Sequence, residues 1–156
     1  MMNDDDISFV ESIKRIGEPV NLRPNEAHSD TLISLTTWVK ESECSPREEK
    51  VFIELGEISS IGDRLVKFYS LYGRLPEEPE VAERLKLLLL LENSNCLYAH
   101  FGLQQQDDGD YIIVSASTYF GMLDSTLMKK LVFEILYQKI VCRKLIDKLK
   151  AEYERA

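Results

Sequence analysis

Residues 75–118 read LPEEPEVAERLKLLLLLENSNCLYAHFGLQQQDDGDYIIVSAST, and this stretch decides the fold. Pro79 stands where the first residue of a helix is expected, and apolar residues then recur at helical spacing. After Asn95, residues 96–104 and 111–118 are two runs of strand formers. Between them, the pair Asp108-Gly109 is typical of a tight hairpin turn. The stretch therefore predicts a helix followed by a β-hairpin.

The predicted helix carries more leucine than one buried face requires. Its leucine run wraps around the cylinder, so the helix is apolar on more than one side. Such a helix either lies between the sheet and another helix or meets a second subunit. We therefore predict a homodimer interface that contains Leu87, Leu90 and Leu91.

The chain before this stretch predicts a short amphipathic helix and a set of strands. Acidic residues open the helix at residues 4–6 and basic residues close it, while the polar residues 18–30 indicate a loop. Residues 31–39 and 51–57 are rich in strand formers, and the polar residues between them predict a hairpin with a long loop. The apolar residues within 61–72 fit both the helical period and the strand period. We favour a strand from Arg64 to Tyr72, with a short helix as the alternative.

The chain after this stretch predicts one long helix. Asp124 suits the N-cap, and apolar residues recur at helical spacing to Tyr153. A helix over residues 125–154 is about 45 Å long, which exceeds what one small domain covers. Its far end is therefore expected to meet another helix, bend back or contact a partner. Together the elements predict an α+β fold, one domain over residues 1–156 of order α-β-β-β-α-β-β-α, with an antiparallel sheet packed against helices.

Charge and composition narrow the classes of partner. The chain has 156 residues, is 44% hydrophobic and carries a net charge of −8. This charge repels phosphate backbones and anionic membrane surfaces, so we predict neither nucleic acid nor membrane as a partner. The acidic start MMNDDD differs from the basic start of a secretory signal, and no apolar run approaches the ~20 residues of a membrane span. We expect a cytoplasmic protein.

Motifs that carry chemistry are missing from the sequence. Cys44, Cys96 and Cys142 are odd in number and widely spaced, which indicates reduced thiols rather than a disulfide framework or a CxxC site. Neither HExxH, Walker A nor GxSxG occurs. We predict no catalytic, cofactor-binding or metal-ligating residues and no enzymatic activity.

The pattern over residues 64–118 resembles the type III secretion chaperone-like fold and, within it, the YbjN-type family of small bacterial proteins. The resemblance rests on GRLP, LLLLLENSN, YAHFGL, the DDGD turn and YIIVSAS. It implies a homodimer without enzymatic activity, in which an exposed sheet face and the first helix hold an extended segment of another protein. It implies no catalytic or ligand residue, and it does not choose between secretion and regulation.

Three functions follow from these observations. The first is a protein-binding domain of the chaperone or regulator kind, which holds a segment of a partner protein on a sheet face or edge. The candidate face residues are Ile33, Leu35, Trp38, Phe52 and Phe68. The second is a small-molecule-binding or enzymatic domain whose site assembles from distant residues such as His100, Asp110 and Tyr119. The third is a structural subunit whose long last helix assembles a larger complex.

Overall fold

The computed structural model describes residues 4–17, 23–29, 31–40 and 46–155. The elements in chain order are α1 (Asp4–Gly17), β1 (Arg23–Ser29), β2 (Leu32–Lys40), β3 (Pro46–Ile58), β4 (Arg64–Arg74), α2 (Pro79–Asn93), β5 (His100–Gln106), β6 (Gly109–Tyr119) and α3 (Ser125–Arg155). A 3-10 turn at Phe120–Met122 joins β6 to α3. The predicted α+β class and element order are confirmed, with one additional strand, β1.

The strands form one antiparallel sheet in the order β1-β2-β3-β4-β6-β5. The hairpin of β5 and β6 joins the sheet through β6, which pairs with β4. This arrangement leaves β1 and β5 at the two edges. The long helix α3 contacts β4, β5 and β6, and it also contacts α1 and α2. The helices therefore form a layer on one face of the sheet.

Alternate residues of each strand build the core, because successive side chains of a strand point to opposite faces. The strand residues buried beneath the helices are Ile33, Leu35, Val51, Ile53, Leu55, Val66, Phe68, Ile112, Val114 and Ala116. Their neighbours Phe52, Glu54, Lys67 and Tyr69 point the other way and are partly or fully exposed. We call this second face, which no helix covers in the described ranges, the open face.

Two expectations about the first half of the chain are wrong. Residues 18–30 were expected to be a loop, but β1 (Arg23–Ser29) pairs with β2, with two irregularities in register. β3 begins at Pro46 rather than near residue 51, because its polar residues 46–50 pair with the end of β2. Backbone hydrogen bonds hold both segments in the sheet although their side chains are poor strand formers.

The expectations for the second half agree better with the structure. The ambiguous segment is a strand, β4, and α2 begins at Pro79. The β5–β6 hairpin is confirmed, but Gln106 pairs with Gly109, so Asp107 and Asp108 form the turn. Gly109 then takes the left-handed φ of +134° that favours glycine. β5 begins at His100 rather than at residue 96.

The long last helix is confirmed, and its far end meets another helix. Asp124 Oδ1 accepts the Leu127 N–H at 2.8 Å, as an N-cap residue does. Near the other end, Glu152 Oε2 lies 3.2 Å from Arg84 Nη1 on α2. Packing against α2 therefore accounts for the length of α3. Within the described ranges, no helix is both long and apolar enough to cross a bilayer.

Candidate functional site

The five residues predicted to form a partner-binding face do not lie together. Ile33, Leu35 and Phe68 are buried in the core beneath the helices. Phe52 lies on the open face of β3. Trp38 belongs to β2, but its side chain lies outside the described part of the chain. The set mixes two faces because it was chosen by apolar type, whereas strand period decides the face that each residue joins.

An aromatic pair marks the centre of the open face. Phe52 and Tyr69 are cross-strand partners on β3 and β4, and their rings stack with centroids 5.4 Å apart. Lys67 Nζ lies 5.3 Å from the centroid of the Tyr69 ring. Burial and, secondarily, the Glu54 carboxylate raise the pKa of Tyr69, so its hydroxyl is neutral near pH 7. The open face thus presents an aromatic platform between charges of both signs.

The three leucines predicted for a dimer interface all lie on the outer side of α2. Leu87, Leu90 and Leu91 are 58%, 67% and 57% exposed. The opposite side of the helix buries Val81, Leu85 and Leu89 against the core, and these three positions repeat every four residues. The helix therefore has a packed side and an apolar exposed side.

A carboxylate on α3 extends this exposed apolar surface. Glu134 Oε1 accepts three consecutive backbone N–H groups, those of Leu97, Tyr98 and Ala99, at 3.0, 2.8 and 3.0 Å. These bonds hold the 75% exposed Leu97 against α3. On α3, Phe133 and Tyr137 are also exposed, at 48% and 61%, one position before and three positions after Glu134. We define the outer apolar surface by Leu87, Leu90, Leu91, Leu97, Phe133 and Tyr137.

A second apolar feature lies between α2 and the edge strand β5. A groove of about 220 Å³ is lined by Lys86, Leu89, Leu90, Asn93, Phe101, Gly102 and Leu103. The Asn93 side chain accepts the Phe101 N–H at 2.7 Å and donates to the Phe101 carbonyl at 3.1 Å. Asn93 therefore occupies the place of a neighbouring strand at one point of the edge. From the sequence, Asn93 is predicted to terminate the helix.

A buried polar cluster lies beneath the helices. Lys139 Nζ on α3 lies 2.5 Å from Glu49 Oε2 on β3, and it donates to Ser70 Oγ on β4 at 2.9 Å. Ser70 in turn donates to the Lys50 carbonyl at 2.7 Å. A serine beside a lysine is a known catalytic arrangement, but Ser70 is only 1% exposed and its proton is held by a carbonyl. The geometry indicates a structural cluster that joins three elements.

The residues of the alternative small-molecule or enzymatic site are not brought together. His100 lies opposite Ser115 at the start of β5. Asp110 and Tyr119 lie near opposite ends of β6, about 30 Å apart at the usual rise of a strand. In the ranges that the structure describes, no three histidine, cysteine or acidic residues meet in a way that would hold a metal ion. The absence of cofactors and of enzymatic activity stays a prediction.

The cysteines show no reactive setting in the described part of the chain. Cys142 is buried, and this burial raises the pKa of its thiol to about 12, against a smaller opposing effect of Arg143. Burial also raises the pKa of the partly buried Cys96, with added contributions from Glu92 and Glu134. Cys44 lies outside the described residues. A high thiol pKa means little thiolate, and therefore little nucleophilic reactivity.

Comparison with known proteins finds similarity among the solved structures. No family model and no curated protein matches the chain. The fold is similar to the crystal structure of YbjN from E. coli, which is described as a candidate transcription regulator. The two share 13% identity over 94% of this chain and 93% of that chain, with a TM-score of 0.48. YbjN is the family that the sequence pattern resembles, and at this identity no function or residue role transfers from it.

Proposed function

We propose that this chain is a non-enzymatic protein-binding domain that acts in the cytoplasm as a homodimer, in the manner of a chaperone or regulator. The observation that carries the proposal is the outer apolar surface on α2, α3 and the loop between α2 and β5. Several large apolar side chains exposed on neighbouring elements are typical of a site that another protein covers. The net charge of −8 supports a protein partner rather than nucleic acid or a membrane.

We assign the leucines of α2 to contact with a second copy of the chain. Leu87, Leu90 and Leu91 lie on one side of one helix, so a two-fold axis near them sets the same residues of two copies against each other. Leucine side chains at the centre of such a contact are stabilised by their removal from water. No charged side chain interrupts residues 87–91.

Charge substitution in the dimer surface is expected to yield soluble monomers. Leu87→Lys combined with Leu90→Lys places two like charges in each half of the contact, and we expect the dimer dissociation constant to rise at least about a hundredfold. Size-exclusion chromatography with light scattering measures the change. Leu65→Lys, an equally drastic change at an exposed leucine of β4, is the matched control and should leave the dimer intact. A variant that stays dimeric would contradict the assignment.

The partner segment is assigned to the open face or an edge of the sheet. The Phe52–Tyr69 platform supports the face, since aromatic side chains are enriched in protein interfaces. The β5 edge supports strand addition, in which a partner contributes backbone hydrogen bonds and alternate side chains.

Recovery of the partner from its native setting tests the protein-binding function. The tagged chain, expressed at its native level, is cross-linked and purified, and copurifying proteins are identified by mass spectrometry. We expect one partner to recur, and Phe52→Lys to lower its recovery several-fold if the segment lies on the open face. Lys67→Gln, which changes a charge on the same face but keeps the ring pair, is the control. Repeated recovery of no protein would count against the function itself.

A further inference from the structure

We propose that the outer edge of β5 binds an extended segment of a partner protein as an additional strand, with an apolar side chain in the groove beside α2. This partner segment has a basic residue at the end that lies near the Asp107-Asp108 turn. This inference rests on the proposed protein-binding function and gives that function a location and a ligand chemistry. We call the location the β5 edge site; it comprises the backbone of Leu103 and Gln105 and the residues that line the groove.

Backbone geometry shows which polar groups the edge offers. Both backbone polar groups of Phe101 bond to Asn93 and therefore point away from β6. In an antiparallel strand the groups of every second residue point to the same side, and β5 pairs with β6 without a register shift. The N–H and C=O groups of Leu103 and Gln105 thus point outward too. No strand among the described residues pairs with that edge.

The edge is consequently closed in one half and open in the other. Asn93 satisfies the edge at Phe101, which blocks an incoming strand from pairing there. Beyond this point, two N–H and two C=O groups remain for a partner strand. Natural edge strands are usually protected against such pairing by charges, proline or bulges. The segment HFGLQQQ has no proline, no acidic residue and no lysine or arginine.

The groove supplies the side-chain pocket that strand addition requires. Leu89 and Phe101 are buried at its base, and Leu103 is substantially exposed at its wall on β5. Leu90, which also belongs to the proposed dimer contact, borders the groove on α2. Side chains of an added strand alternate between the two faces of the sheet. One that points toward the helix layer enters this groove and contacts leucine and phenylalanine. Lys86 and Asn93 add polar groups to a lining that is otherwise mostly apolar, so the groove favours an apolar side chain.

The negative charge at the end of β5 favours a partner segment that contains a basic residue. Asp107 and Asp108 are exposed at the far end of β5, and Asp110 follows after Gly109. Arg74 donates to the Asp108 carbonyl, so one positive charge stands against three negative ones at this turn. A basic residue in the segment is therefore attracted to the turn. A second copy of this chain, with the same net charge of −8, is a poorer fit to this site.

Peptide binding tests the β5 edge site directly. The probes are two fluorescein-labelled peptides of alternating valine and threonine, one ending and one beginning with two lysines, so that both strand directions are covered. Fluorescence anisotropy with the full chain should show saturable binding of one of them. Gln105→Pro removes an outward N–H but no bond to β6, a place where an edge strand tolerates proline. We expect it to weaken binding about tenfold.

Two further variants protect the test against a folding artefact. Leu103→Asp changes only an exposed side chain at the groove wall and should weaken binding by about tenfold or more. Gln104→Ala changes a side chain on the open face of the same strand and should change binding less than about twofold. Replacing the lysines of the peptide by glutamates should abolish binding. Circular dichroism confirms that each variant is folded.

The outcomes separate this inference from the function on which it rests. If Gln105→Pro and Leu103→Asp both leave peptide binding unchanged, the edge site is wrong. The edge site is also wrong if a native partner copurifies equally with the wild type and with both variants. In that case the protein-binding function itself remains supported. Conversion of a dimer to monomers by Gln105→Pro would assign the edge to a second copy and also overturn the inference. If neither the wild type nor any variant recovers a partner protein, the proposed protein-binding function is wrong as well.

Discussion

Glu49→Ala is expected to lower the free energy of unfolding by about 3–5 kcal/mol, because it leaves the buried Lys139 ammonium without its carboxylate. The two side chains are 11% and 9% exposed, and their charged atoms lie 2.5 Å apart. After the change, Lys139 keeps only the hydrogen bond to the Ser70 hydroxyl, which carries no charge. Urea denaturation followed by circular dichroism measures the loss.

The controls for this prediction distinguish a broken ion pair from a damaged strand. Glu48→Ala alters the exposed neighbour of Glu49 on β3 and should change the free energy of unfolding by less than about 0.5 kcal/mol. The double change Glu49→Leu with Lys139→Met removes both charges and should restore most of the stability, since apolar replacements of buried pairs are often neutral or stabilising. A double variant as unstable as Glu49→Ala would show that the charge left behind is not the cause.

Phe68→Ala is expected to lower the free energy of unfolding by about 3–5 kcal/mol, because Phe68 is fully buried and its loss leaves a cavity. Phe52→Ala is the matched control: it removes the same side chain from the adjacent strand, but on the open face, where it stacks on the Tyr69 ring. We expect it to cost about 1 kcal/mol. Urea denaturation of both variants measures the difference.

This comparison also tests which face of the sheet the helices cover. Similar losses from both variants would mean that Phe52 is as deeply packed as Phe68, and the open face would then not exist as a surface for a partner. A loss confined to Phe68→Ala supports the assignment of Phe52 to the open face. Binding by the Phe68→Ala variant should fall only in proportion to its unfolded fraction.

Local signals in the sequence predicted the elements whose causes are themselves local. Pro79 starts α2, Asp124 caps α3, and the glycine of the DDGD turn begins β6. Each of these depends on residues within a few positions along the chain, so its pattern is visible without the fold. The leucines on the outer side of α2 were visible for the same reason, because helical periodicity sorts side chains by direction.

Segments held by distant neighbours were not predicted. β1 and the first residues of β3 have polar sequences, and they are strands because their backbones pair with β2. The same limit applies to the candidate face. Side chains alternate between the two faces of a strand, which divides them into two sets. The sequence does not indicate which of the two sets the helices cover. Phe52 and Phe68 are therefore alike in sequence terms and opposite in location.

By itself, the sequence determined the α+β class, the order of most elements, the acidic charge and the surplus of leucine on α2, since composition and short-range periodicity are properties of neighbouring residues. Only the tertiary structure decided that Asn93 closes the first part of the β5 edge, that Glu134 binds the backbone just before β5, and that Lys139 meets Glu49 beneath the helices. The contacts of Glu134 and Lys139 join residues 35 to 90 positions apart, and Asn93 reaches Phe101 across the connection between α2 and β5, so no local pattern encodes these pairings. The stretch 75–118 thus supplied the scaffold of the candidate binding sites, while the packing of α3 against it determined which groups stay open.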